Sequence, residues 1–200
     1  MRLSKEQAAR NRQGIIDAAA RLFRERGIDG VGVADLMKAA GFTHGGFYNH
    51  FPSKEALAAE ACASAFEGTL TELNNALDHG ASKSGSAFSE YLAHYLSPDH
   101  RDDPNGGCPM ASFAVDAWRQ GEEVQSAYAE GIESVLAAYA AQLTKVSRAG
   151  KKVSAAAARV QAIRLLSEIV GALLLARAVA GANSGLSDEI LEASRGKIGT

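Results

Sequence analysis

The sequence predicts an all-α protein, and three observations carry that prediction. Apolar residues recur at three- and four-residue steps along most of the chain, no stretch alternates as a half-buried strand does, and hydroxyl residues and glycines fall where helices begin and end. Three of the predicted helices are short and crowd into the first fifty or so residues, with a glycine between the second and third, which is the helix-turn-helix arrangement.

The first helix spans about Ser4 to Arg26, because Ile15, Ile16, Ala19, Leu22 and Phe23 fall on one face and Gly27 follows at a C-cap position. Val33, Leu36, Met37 and Ala40 repeat the pattern on a second helix ended by Gly41. Thr43 offers a hydroxyl cap for a third, reaching about His50 before Phe51-Pro52-Ser53 breaks it. Ser53 caps a fourth, with Glu55 and Glu60 near its positive end and Leu57, Ala61, Phe66, Leu70 and Leu73 along one side. A loop is predicted over His79–Gly85, a helix through Phe88, Tyr91, Leu92 and Tyr95, and a connection from Asp99 to Pro109. Helices then follow over Met110–Gln120, Glu122–Val146 and Ser154–Ala180, and a last one opens at Ser187 with Ser-Asp-Glu as its cap.

With 46% hydrophobic and 22% charged residues the composition is that of a globular protein, not of a disordered chain. The apolar run at Ile169–Ala176 is far shorter than the ~18 residues a membrane span needs. The first residues, Met1-Arg2-Leu3-Ser4-Lys5, lack the apolar stretch of a secretory signal, so a cytoplasmic protein with no membrane partner is expected. Cys62 and Cys108 are isolated from each other and from any zinc-type spacing, and neither a phosphate loop nor a Gly-x-Ser-x-Gly nucleophile motif occurs. No enzymatic activity, cofactor or metal is therefore expected. His94, Asp99, His100, Asp102 and Asp103 match no zinc pattern and read as a solvated acidic loop. The net charge of −2 is unevenly spread: up to Lys54 nine basic residues face five acidic ones, a net +4, which leaves −6 for the remainder. That polarity directs polyanion contact to the N-terminal end.

In a helix-turn-helix the third helix must keep its outer face free for the DNA major groove, while Met37 and Phe47 fill the small core behind it. That face carries His44, Gly45, Tyr48 and Asn49. Gly45 and Gly46 cost about 1 kcal/mol each in helix propensity relative to alanine, and they allow close backbone approach to DNA. The run Ala40-Gly41-Phe42-Thr43-His44-Gly45-Gly46-Phe47-Tyr48-Asn49-His50-Phe51-Pro52-Ser53-Lys54-Glu55-Ala56-Leu57 resembles the TetR family of transcriptional regulators, densely so over Ile15 to Leu57.

The resemblance implies a helix-turn-helix DNA-binding domain over residues 1–54 and a helical effector-binding and dimerisation domain over 55–200. It implies that Thr43 caps the recognition helix and contacts phosphate, that His44 and Gly45 face base edges, and that Gly46, Tyr48 and His50 lie against the DNA backbone or support it. Lys54 would hold a phosphate with the positive end of its helix. Val31-Gly32 stands where the family often has two hydroxyl residues, so one or two phosphate contacts should be missing. In the C-terminal domain the bulky apolar and amphipathic residues Phe66, Tyr91, Tyr95, Met110, Phe113, Trp118 and Tyr128 are candidate walls of a cavity for a small organic effector. Plain core is the simpler reading of each, since one sequence does not separate a wall from a filling.

Cys108, in Gly107-Cys108-Pro109 ahead of a predicted helix, is either a small packed residue or a thiol that senses oxidants or electrophiles. Cys62 reads as core. A dimer is expected, because one short recognition helix reads too few base pairs. The predicted interface is the helices around 160–179 and 186–195, with Val160, Ile163, Leu166, Val170, Leu173, Leu174 and Ala178 as the apolar stripe, widened by Leu165, Ile169 and Leu175, and with Leu186, Ile190 and Leu191 beside it. The leading expectation is a repressor that holds a palindromic double-stranded DNA operator as a homodimer and is released by its effector. The alternatives are a redox-sensing repressor acting through Cys108 and an all-helical enzyme or carrier for a hydrophobic ligand.

Overall fold

A computed structural model describes residues 4–78, 86–103, 107–145 and 153–198, with the side chains of 197 and 198 excepted. All regular structure among them is helical: α1 (Lys5–Arg26), α2 (Val33–Ala39), a 3₁₀ segment (His44–Asn49), α3 (Lys54–Asp78), α4 (Ala87–Tyr95), α5 (Pro98–Asp102), α6 (Pro109–Ala117), α7 (Glu122–Lys145), α8 (Ala155–Ala180) and α9 (Ser184–Ile198). The loop expected over His79–Gly85 lies outside the described residues. The chain forms two compact units, one from the described residues of 1–67 and 105–131, the other from those of 68–104 and 132–200.

In the first unit, local sequence sets where the helices begin and end. The Ser4 hydroxyl accepts the Gln7 N–H at 3.1 Å to open α1. Gly27 (φ 76°) closes it, donating its N–H to the Phe23 carbonyl, and Gly41 (φ 81°) makes the turn after α2; both conformations are strained for any residue with a Cβ. Ile15, Ala19, Phe23, Leu36, Met37, Phe47, Phe51 and Leu57 are fully buried and form the core of the head. Arg12 of α1 is stapled to α3 by a two-pronged ion pair with Glu60, and its guanidinium lies 4.5 Å above the Phe51 ring. Helix α6 joins this unit from its last turn, where the Asp116 carboxylate accepts the Ile28 N–H at 2.9 Å and Gln120 donates to Asp29 at 3.2 Å.

In the second unit α8 and α9 pack on each other, and α4 and α5 pack against them. Ser154 caps α8 by accepting the Ala157 N–H. The cap of α9 is not the expected Ser187: Asn183 accepts the Leu186 N–H at 3.0 Å, the helix begins three residues earlier, and the buried Ser187 hydroxyl donates to the Ala176 carbonyl at 2.9 Å. An asparagine four residues upstream thus competes for the cap and wins. The connection expected from Asp99 also begins with a helical turn, because Ser97 caps α5 and Pro98 fits its first position. The Arg177 guanidinium, from α8, binds the freed His100 and Arg101 carbonyls at 2.9 and 3.0 Å. Arg101 pairs with Asp102 and with Asp188 of α9.

The apolar stripe expected on α8 divides in two. Leu166, Ile169 and Leu173 are buried within the unit, whereas Val160, Ile163, Leu175 and, on α9, Leu186 are exposed. The residues of the expected stripe span more than half the helix circumference, and the unit's own core takes one side of it, leaving Val160, Ile163 and Leu175 on the other.

Candidate functional site

The DNA-facing candidates sit on a frame fixed from behind. Phe47 enters the core beside Met37 and Phe51, which turns Thr43, His44, Gly45, Tyr48 and Asn49 outward, while Gly46, His50 and Lys54 are partly covered. Tyr48 is 69% exposed, and its ring stands edge-on to Phe47 at 5.2 Å, which fixes its direction. The His50 ring lies between Phe42 and Phe51, 6.2 and 6.4 Å from each. Lys54 opens α3 beside Ser53, whose hydroxyl accepts the Ala56 N–H at 2.9 Å. Thr43 has the backbone geometry of an N-cap, yet its hydroxyl caps no N–H, contrary to expectation. The reason is the winding: the segment is a 3₁₀ helix of six residues, closed by the Gly46 N–H on the Thr43 carbonyl and the His50 N–H on Phe47.

Arg12 and Asp116 escaped the sequence reading. Both position the head, one by bracing α1 on α3, the other by holding the turn after α1. Their partners lie 48 and 88 residues away, so no short-range pattern announces them.

Five of the effector candidates lie in the first unit. Phe66 packs against Tyr128, ring edge to face at 5.6 Å, and the Tyr128 hydroxyl donates to the Met110 carbonyl at 2.8 Å. A Cβ at Gly131 would fall 2.2 Å from the Phe66 ring, so only a glycine lets that ring lie on the backbone of α7. Met110, Phe113 and Cys108 are buried. Burial raises the Tyr128 phenol above its usual range, with the nearby Cys108 and Cys62 thiols adding to the effect, and burial pushes the Cys62 thiol up to about 12. At neutral pH both groups are uncharged, which suits an apolar occupant.

Tyr91 and Tyr95 belong to the second unit and form a separate set: Tyr91 contacts Tyr139, and Tyr95 lies 4.7 Å from His100. Tyr139, fully buried between Phe88 and Tyr91, was not singled out from sequence. Trp118 is 67% exposed, with the Arg119 guanidinium 4.8 Å from its ring. A cavity of about 380 Å³ in the second unit, between Asn74, Asp78, Ser86, Phe88, Gln142 and Lys145, takes in none of the candidates. Among the described residues no three His, Cys, Asp or Glu side chains gather as a metal site; His100 turns its Nδ1 to the Tyr95 carbonyl and Asp102 pairs with Arg101.

Residues 15–61 match the model of the tetR family of bacterial regulatory proteins. The chain is 36% identical over 98 residues to the HTH-type transcriptional regulator AcrR of Shigella flexneri, an alignment covering 48% of this chain and 44% of that protein. It is 27% identical over 129 residues to the HTH-type transcriptional repressor NemR of Escherichia coli K12, covering 63% of each. The chain thus spans about half the length of the curated relatives it matches. Among solved structures, reduced E. coli NemR superposes with a TM-score of 0.74 at 23% identity, over 94% of this chain and 95% of that one. A TetR-family regulator from Cytophaga hutchinsonii gives 0.74 at 24%, over 100% and 97%. At these identities the superpositions speak for the fold, and the dense match lies where the head, its glycine turn and its outward face were found. Residues 15–61 of this chain therefore carry the N-terminal domain that the tetR family of bacterial regulatory proteins shares.

Proposed function

We propose that this protein is a cytoplasmic transcriptional repressor that binds a palindromic DNA operator as a homodimer and is released by a small organic effector. The observation that carries the reading is the outward face of His44, Gly45, Tyr48 and Asn49, locked from behind by Phe47 and flanked by Lys54 at a helix N-terminus. Polar tips for base edges and a cation at a positive helix end are what groove and phosphate recognition require. Similarity to relatives named as HTH-type transcriptional repressors supports it. For pairing, the exposed Val160, Ile163, Leu175 and Leu186 offer an apolar surface on α8 and α9. For the effector, Tyr128 with Phe66 and Met110, both of which it touches, and the buried Phe113 on the same helix as Met110 offer apolar groups within the unit that includes the head. Helix α6 carries Met110 and Phe113, and its Asp116 holds Ile28.

The test is a gel-shift assay with the DNA upstream of the protein's own gene, with and without a panel of aromatic and aliphatic ligands. Specific retardation that a ligand abolishes is the expected result; equal binding to random DNA at all salt concentrations overturns the reading. A second reading, a thiol sensor, draws on Cys108 occupying the N-cap of α6, where a helix end favours a thiolate. Its burial weighs against it. If Cys108 is the sensor, Cys108→Ser binds DNA but ignores peroxide; equal responses in variant and wild type assign it to packing.

A further inference from the structure

We propose that His44–Asn49 is a conformational switch: a 3₁₀ helix in the free protein that rewinds into an α-helix when it enters the major groove, with Gly45 and Gly46 keeping the two windings close in energy. The inference rests on the DNA-binding reading above and adds a structural change to it.

Four observations carry it. A six-residue 3₁₀ helix exceeds the usual three or four, since its hydrogen bonds are poorer than those of an α-helix. The segment already mixes registers at its end, where the His50 N–H and the Phe51 N–H both reach the Phe47 carbonyl, at 2.9 and 3.1 Å, the second being an α-type bond. Thr43 stands in cap geometry (φ −85°, ψ 148°) with a hydroxyl that caps no N–H, an arrangement ready for the first turn of an α-helix. Finally, nothing in the fold requires the glycines. A Cβ on Gly45 meets no atom, one on Gly46 meets only Met37 Cε at an ordinary 3.6 Å, and neither residue has a positive φ.

Space and backbone angle therefore do not explain the glycine pair, whereas a low preference for the α-helix does. With Phe47 held in the core, passing from three to 3.6 residues per turn rotates His44 by about 60° about the segment axis. The two windings thus aim a side chain that reads bases in directions about 60° apart.

The experiment uses the full chain and the upstream DNA fragment that the wild type retards. Binding constants are measured for Gly45→Ala and Gly46→Ala, and carbon chemical shifts of residues 44–49 are recorded free and bound. The expected result is about two- to fivefold tighter binding for each alanine variant, since alanine favours the α winding. The wild-type shifts move to α-helical values on binding, and the variants show such values already when free. Weaker binding by either variant would mean that DNA packs on bare backbone and overturns the switch, as do unchanged affinities, or equal tightening by Gly68→Ala at an exposed position of α3. A wild type that retards no DNA removes the functional reading first, and the switch falls with it.

Discussion

His44–Asn49 and α8 both turn side chains to solvent, and they do so with opposite chemistry. The short segment shows histidine, tyrosine and asparagine on a glycine frame, while α8 shows valine, isoleucine and leucine on an alanine-rich one. A surface of hydrogen-bonding tips on bare backbone suits a polar, charged partner whose edges must be read. A surface of branched aliphatic side chains gains only by leaving water, roughly 25 cal/mol per Å² of apolar area, and so suits another protein surface. The core behind each follows the same logic: a few large rings brace the segment, and small residues such as Ala158, Ala162 and Ala176 line the inner side of α8.

The contrast is easiest to break on α8, where Leu173 and Leu175 lie two residues apart and differ completely, the first fully buried and the second 60% exposed. Leu173→Asp places a carboxylate in the unit's core and should cost several kcal/mol, seen as a large drop in melting temperature. Leu175→Asp should leave melting nearly unchanged. Paired with Ile163→Asp it should instead produce monomers in sedimentation and weaken operator binding by about a hundredfold, the loss of avidity between two heads. A wild type that sediments as a monomer at micromolar concentration contradicts the role given to this face.

Smaller effects are expected at the head. Tyr48→Phe and Lys54→Ala should weaken binding several-fold to specific and random DNA alike, with the lysine variant lowering the salt dependence by about 0.9 in slope. His44→Ala should instead cut the preference for operator over random DNA by about tenfold. Variants that all behave like wild type would show that this face does not meet DNA.

The smallest effect at neutral pH concerns Cys62. Its thiol stays neutral up to about 12 in the fold, whereas an exposed thiol ionises near pH 8.5. Burial of the neutral form therefore stabilises the fold fully below that pH, and the contribution is lost as pH rises from about 9 towards 12. Alkylation by iodoacetamide should be slow at pH 7 in the native state and fast in denaturant; Cys62→Ala should flatten the alkaline loss of stability.

The head was largely legible in the sequence because its determinants are local: Ser4, Gly27, Gly41 and Ser53 mark ends within a few residues of where they act. The 3₁₀ winding was not, since the signals for a short α-helix and a 3₁₀ helix coincide until hydrogen bonds are seen. Asn183 could have been weighed against Ser187 as the cap of α9, as both are good cap residues; burial of Ser187 decides it. Which side of α8 is core was illegible, because apolar residues occupy most of its circumference and only the packing of α9 and α5 selects among them. Arg12 and Asp116 depend on partners far along the chain and belong to what sequence patterns do not reach.

The Asp116 carboxylate on the Ile28 N–H has a consequence for modularity. Cut from the chain after Lys54, at the boundary expected from sequence, the head would lose the acceptor for a backbone donor beside two fully buried side chains, Ile28 and Val31. It would also lose the glutamine that holds Asp29. Grafting this head onto a foreign sensor should succeed only where the new helix brings a carboxylate to the same amide. The portable piece of this protein is therefore the head together with α6, two stretches of sequence that must be transplanted as one.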